Sequence, residues 1–318
     1  DRPHPGPFNW HLIEPDYDRR YNWTHTDRYV DTAQNYGFAT VATIWPFNHH
    51  DQMVCNSARP AAGGFVFKEL PRWLYLPCNM EAYQAFVRAM VERYDGDGMD
   101  DYPNLSYPIK YWEVANEPEM QGPELTFFLG TPEEYAEIVR ATYEAVKGAD
   151  ARAKVIQGGA AGLLDRRMRE FWEAVFSVPG IGDYFDIANV HSISGSPNLF
   201  VPEFKELLGA HGLDDKPLWV TEASISTDPT PASEGRALTE EEKGQALKQS
   251  FRAAFAAGAE KVFYTTLYGY GDPQMVKEAL VRPDGTPLPA FHAFVEMIEE
   301  TTTVATPAPP AASGSVAR

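Results

Sequence analysis

The chain has 318 residues, 44% of them hydrophobic and 13% aromatic, which supports one large core and excludes disorder over most of its length. Acidic residues outnumber basic ones 45 to 27, and the net charge of −18 disfavours nucleic acid and anionic membrane surfaces as partners. No apolar run approaches the ~20 residues needed to cross a bilayer. The sequence begins at Asp1, so the expectation is a processed or trimmed soluble protein whose signal peptide is out of view.

In chain order, short apolar runs alternate with amphipathic stretches, the pattern of a parallel α/β fold with strands covered on both faces. Residues 8–13 and 39–45 read as the first two strands. Residues 46–78 follow as a long loop, a length that in compact domains usually carries function. It contains Cys55 and Cys78, read either as free buried thiols or as a disulfide. A disulfide of that span would contribute roughly 3 kcal/mol and imply an oxidising, extracellular setting. Asn79 can cap a helix with an inner face of Tyr83, Phe86, Val87, Met90 and Tyr94. After it, Asp95, Asp97, Asp100 and Asp101 sit among glycine turns, where they could wrap a structural Ca²⁺ or form a solvated acidic turn.

Further strands are predicted at 109–115, 154–158, 186–191, 218–221 and 261–266. Thr131-Pro132-Glu133-Glu134 is a capping box with proline at the first helical position, followed by Tyr135, Ile138, Val139, Thr142 and Val146 at helical spacing. Thr239 and Glu242 form a second box, ahead of a helix running towards Gly258. Residues 301–318 are rich in Thr, Ala and Pro and read as a disordered linker or tail, a possible tether to a carbohydrate-binding module. Residues 1–300 are then one catalytic domain. Its seven strands suggest a (β/α)8 TIM barrel with the first βα unit lacking or substituted, since residues 1–7 are too few for one.

Barrel enzymes carry their chemistry where strands end. Glu117 follows the strand 109–115, and Glu222 follows 218–221. Paired carboxylates suit glycoside hydrolysis, in which one stays protonated for the leaving oxygen and the other stays ionised to attack the anomeric carbon. Pro118 blocks helical continuation and fixes the turn that presents Glu117.

Phe8-Asn9-Trp10-His11-Leu12-Ile13-Glu14-Pro15, Trp112-Glu113-Val114-Ala115-Asn116-Glu117-Pro118 and Trp219-Val220-Thr221-Glu222 resemble motifs of glycoside hydrolase clan A, over a span reaching about Glu300. The clan includes cellulases, mannanases, β-galactosidases and β-xylosidases. The resemblance implies Glu117 as acid/base, Glu222 as nucleophile and Asn116 as a contact to the sugar 2-hydroxyl. His191 matches the sixth-strand histidine, but Ser192 and Ile193 follow it where the clan often has a tyrosine two positions on. Tyr264 and Tyr268 stand where the clan often has a tryptophan platform. Trp10, Glu14, Trp45, His49 and His50 are further candidates for substrate contact at the barrel mouth, with packing on the rim or pairing with an arginine as the plainer alternative. Without His-x-His or His-Glu-x-x-His, no catalytic metal or other cofactor is expected. The expected activity is retaining hydrolysis of β-glycosidic bonds in an oligo- or polysaccharide, in a secreted enzyme. The alternatives are a non-catalytic carbohydrate-binding barrel and a metal-dependent barrel hydrolase.

Overall fold

A computed structural model describes residues 1–194, 196–230, 233–269 and 273–304. It divides into two compact units. The first comprises Asp1–Ser192, Asn198–Ala223 and Ala254–Phe263, and the second Ile193–Pro197, Ser224–Ala253 and Tyr264–Arg318.

Unit 1 begins with a departure from the predicted strand 8–13. The backbone of Asn9 pairs in parallel with Trp45. The Asn9 side chain, however, accepts the N–H groups of His11 (2.9 Å) and Leu12 (3.4 Å). An asparagine in that role starts a helix, so the chain turns into α1 (Trp10–Ile13) after a single paired residue. Next come α2 (Thr24–Asn35), β1 (Val41–Ile44) and α3 (His49–Cys55), the last opening the segment expected to be loop throughout. The Asn79 side chain accepts from Ala82 N (2.9 Å) and caps α4 (Met80–Tyr94), whose predicted inner face is buried. β2 (Tyr111–Val114) leads to α5 (Pro132–Ala149), which opens on the full Thr131–Glu134 capping box. β3 (Lys154–Gln157), α6 (Arg166–Ser177), β4 (Ala188–Ile193), α7 (Val201–Ala210), β5 (Leu218–Ser224), α8 (Glu240–Ala256) and β6 (Ala259–Tyr264) complete the alternation. α9 (Pro273–Glu278) and α10 (Pro289–Val304) belong to unit 2.

Among the described residues the strands form two three-stranded sheets, β1-β2-β3 and β4-β5-β6, so six of the seven predicted strands are present and the barrel expectation is met in part. β1, β2 and β3 are parallel, in register Val41–Tyr111 and Thr43–Glu113. Isolated parallel bridges at Ile156–Ile187 and Ala160–Val190 continue the pairing from β3 into β4.

Strand side chains alternate sides, and in unit 1 the residues of one face stack in layers. Val41, Ile187 and Trp219 join Ile156 in an apolar floor, with Tyr111 and Phe263 packed against it. Two residues further along, Thr43, Glu113, Asn189 and Thr221 form a polar layer above. Glu113 accepts from Thr43 Oγ1 (2.8 Å) and Asn189 Nδ2 (2.6 Å), and Asn189 also donates to Thr221 Oγ1 (2.7 Å). Each buried polar atom named here is matched, as a low-dielectric interior requires.

In unit 2, Thr239 and Glu242 exchange the two hydrogen bonds of a capping box at the start of α8 (2.8 and 3.2 Å). The Lys243 ammonium is buried against the carbonyls of Ala279 (2.7 Å) and Lys277 (3.2 Å) and paired with Glu240 (3.0 Å). α10 carries helix to Val304, past the expected boundary at 300, and the rest of the predicted tail lies outside the described residues.

Candidate active site

Glu117 and Glu222 meet in unit 1. One carboxylate oxygen of each and Nδ1 or Nε2 of His191 lie within 4.8 Å of one another. Glu117 leaves β2 through a turn in which Ala115 and Glu117 take φ of +57° and +38°. Residues with a Cβ occupy that region at a cost of roughly 1–3 kcal/mol. The turn is held by hydrogen bonds from Ala115 N to Ile44 O and from Met120 N to Glu117 O, both 2.9 Å. Glu222 lies inside β5, which runs three residues beyond the predicted strand 218–221.

His191, on β4, is the hinge of the arrangement. Its Nδ1 is 2.8 Å from Glu117 Oε1 and its Nε2 is 2.8 Å from Thr221 Oγ1. The Thr221 hydroxyl gives its one hydrogen to Glu113 Oε1 (3.3 Å), so it accepts from the imidazole. The proton is thereby assigned to Nε2, and Nδ1 is left to accept a hydrogen from the Glu117 carboxyl. The ring fits because position 159 is glycine. A Cβ there would fall 2.0 Å from His191 Nε2. Gly159→Ala is therefore expected to displace the imidazole, destabilise the protein by about 1–3 kcal/mol and cut turnover well beyond what that loss explains. Thermal melts and initial rates check this, and a variant with wild-type melting and rate would remove His191 from the design.

Arg2 completes the cluster. Its guanidinium, 2% exposed, donates to Glu113, to Glu222 and to Asn116 Oδ1 (2.6 Å). Nδ1 of His4 lies 3.7 Å from Glu222, and the His4 ring packs among Trp45, Phe67 and Phe127. Burial pulls the Arg2 guanidinium down, but the Glu113 and Glu222 carboxylates outweigh it and hold Arg2 above its ordinary range. Burial also lowers His4 to about 4, leaving it neutral near pH 7.

The two glutamates are driven apart. Burial raises Glu117 above the usual carboxylate range; His191 opposes this without cancelling it, and the Glu222 charge adds to it. Burial acts on Glu222 in the same direction, but its interactions with His191 and Arg2 prevail and lower it to about 2. With His4 neutral, we attribute the ionised state of Glu222 to Arg2 foremost. Within this shared, largely buried space, burial thus favours the protonated form of Glu117 and the surrounding groups favour the ionised form of Glu222.

Of the residues singled out in the sequence, Asn116, Glu117, His191 and Glu222 come together. Trp10, Glu14 and Trp45 are fully buried and offer no face to a ligand. Glu14 accepts from Trp10 Nε1 (2.8 Å) and Arg19 N (2.7 Å), and Trp45 Nε1 donates to Pro5 O (2.6 Å). His49 and His50 open α3, where His49 packs against His11, His50 and Trp73. Tyr264 and Tyr268 belong to unit 2. Tyr264 is wedged between Phe251 and Phe294 and its hydroxyl donates to Glu278 O (2.6 Å). Cys55 and Cys78 form a disulfide.

Asp95, Asp97 and Asp101 bring carboxylate oxygens within 4.8 Å of one another, and Asp100 is not of that group. Their oxygens already accept main-chain N–H groups. Asp101 takes Gly96 and Gly98, Asp97 takes Met99 and Asp95 takes Asp97, a pattern shared by acidic turns and cation-holding loops.

Sequence reasoning missed Arg2, His4, Glu113, Asn189 and Thr221. Glu113 and Asn189 had a usable signal, each being a polar residue inside an otherwise apolar strand. Arg2 and His4 had none.

The chain matches no family model and no curated protein. Its fold is similar to that of solved glycosidases. A glucosidase from Croceicoccus marinus aligns over 90% of this chain and 56% of its own, at 18% identity and a TM-score of 0.66. A GH39 β-xylosidase from Caulobacter crescentus aligns over 92% and 62%, at 17% and 0.63. Xylanase 10B from Thermotoga petrophila aligns over 92% and 83%, at 14% and 0.56. The chain therefore spans little more than half the length of the first two. The similarity in fold agrees with the resemblance to clan A, and no family within the clan is assigned.

Proposed function

We propose that the chain is a retaining glycosidase of (β/α)8-barrel descent that hydrolyses β-glycosidic bonds in oligo- or polysaccharides. The observation that carries this reading is the opposed displacement of two carboxyls within 4.8 Å of each other, Glu117 upward and Glu222 downward. Inverting enzymes hold their carboxyls roughly 6.5–9.5 Å apart to admit a water, and retaining ones hold them at about 5 Å. The present spacing favours direct attack.

In the first step the Glu222 carboxylate bonds to the anomeric carbon while Glu117 gives its proton to the departing glycosidic oxygen, so neither product leaves with an unpaired charge. Glu117, now ionised, then takes a proton from a water that attacks the same carbon and releases Glu222. Arg2 keeps Glu222 ionised before attack and receives its charge again on release. Asn116, fixed through its Oδ1 on Arg2, leaves its amide hydrogens for a sugar hydroxyl. The same guanidinium argues against the metal-dependent alternative, because a cation at Glu117, His191 and Glu222 would sit beside a buried positive charge.

The test is a panel of aryl β-glycosides of xylose, glucose, galactose and mannose, with NMR of the first-formed anomer. Turnover releasing the β-anomer first is expected. Release of the α-anomer overturns retention, and binding without turnover supports the non-catalytic alternative.

A further inference from the structure

A chain of rings in unit 1 runs from the carboxylate pair to the surface. His4 is 3.7 Å from Glu222. Phe67 packs edge-on to His4 at 5.2 Å and lies face to face with buried Phe127 at 5.8 Å. Phe65 follows, 5.3 Å from Phe67 and 55% exposed. A solitary exposed phenyl ring needs no explanation, but this one stands at the end of a continuous aromatic path to the proposed reaction centre.

It is also held rigidly. The segment carrying it is closed by the Cys55–Cys78 disulfide, and Arg59 lies 3.7 Å above the Tyr75 ring while pairing with Glu134 at 2.8 Å. The main chain of Phe65 is bonded on both sides to the loop after Glu117. Its N–H donates to Pro123 O (3.2 Å), and its carbonyl accepts from Thr126 N (3.1 Å). The two loops touch so closely that a Cβ on Gly64 would fall 1.6 Å from Pro123 O. The ring thus has a fixed position and an open face, the properties of a preformed binding surface.

We propose that Phe65, backed by Phe67, is a stacking subsite for a second sugar ring of a β-linked oligosaccharide, adjacent to the residue whose bond is cleaved. A pyranose presents a face of C–H groups that packs on an aromatic ring, and no charge is needed to hold a neutral saccharide there. The proposal rests on the glycosidase reading above and adds the recognition of a chain longer than one residue.

The test compares wild type with Phe65→Ala and Phe65→Trp, substitutions at an exposed position that leave the disulfide and the loop hydrogen bonds intact. Calorimetric titration with xylo-, gluco- and manno-oligosaccharides of one to three residues measures the gain in affinity from the second ring. Rates on the monosaccharyl fluoride report chemistry without that ring. The expected result is that Phe65→Ala loses roughly three- to tenfold of the second-ring gain, Phe65→Trp keeps it, and both variants match wild type on the fluoride. An equal second-ring gain in wild type and Phe65→Ala, or no such gain in wild type, overturns the subsite, as does an equal fall on the fluoride. Failure of the glycosidase reading appears separately, as wild type that turns over none of these substrates, and the titrations still decide the question of the subsite.

Discussion

Glu222→Ala is expected to lower turnover of an activated aryl β-glycoside by roughly 10⁴-fold or more, and azide is expected to restore part of it as the α-glycosyl azide. The loss is large because no nearby group can replace the nucleophile. Burial favours the protonated form of Glu117, and Glu113 is buried and committed to Arg2, Thr43 and Asn189. Truncation to alanine leaves a space beside Arg2 that suits a small anion, and attack from that side without a covalent enzyme intermediate inverts the anomeric centre. Glu113 remains to pair with Arg2, so the variant should fold, and its circular dichroism should match wild type. A rate within tenfold of wild type would sink the assignment of Glu222. A large loss with no azide rescue would point to collapse of the Arg2 cluster instead.

Glu117→Ala should divide substrates by leaving group. A dinitrophenyl glycoside departs without protonation, so its first step should suffer little, whereas an alkyl or sugar leaving group should react about 10²–10⁴-fold more slowly. The pH profile offers an independent reading. The proposed mechanism requires Glu222 ionised and Glu117 protonated. Glu222, lowered to about 2, loses its charge only in strong acid, and Glu117, raised by burial, keeps its proton above the ordinary carboxylate range. The alkaline limb of kcat/KM in wild type therefore reports Glu117 and should disappear in the variant. Persistence of that limb, or equal losses across leaving groups, would deny Glu117 the acid role.

Much of this was legible in the sequence, and the reasons are local. The helix starts at Asn79, Thr131 and Thr239 depend on one side chain bonding to the backbone two or three residues on, so they are written in consecutive letters. The glutamates at the ends of β2 and within β5 announced themselves by following apolar runs. What could not be read depends on chain closure. Arg2 precedes any periodic segment, and only the folded sheets bring it between Glu113 and Glu222. The run 8–13 has the composition of a strand, yet the Asn9 side chain competes for the backbone and wins after one bridge. Trp10 and Trp45 read as candidates for substrate contact, and their full burial was not legible in the sequence. The count of strands was legible for six of the seven runs, and their pairing was not. Each apolar run supplies one, but which runs pair is decided by the layers of Val41, Ile187 and Trp219 beneath and Thr43, Glu113, Asn189 and Thr221 above.

The left-handed backbone at Ala115 sets two kinds of selection against each other. Glycine would adopt that conformation without penalty, so a library sorted for heat resistance has reason to enrich it there. The same relaxation would slacken the turn that aims the Glu117 carboxyl at His191. Under the proposed mechanism, a library sorted for sugar release has the opposite incentive.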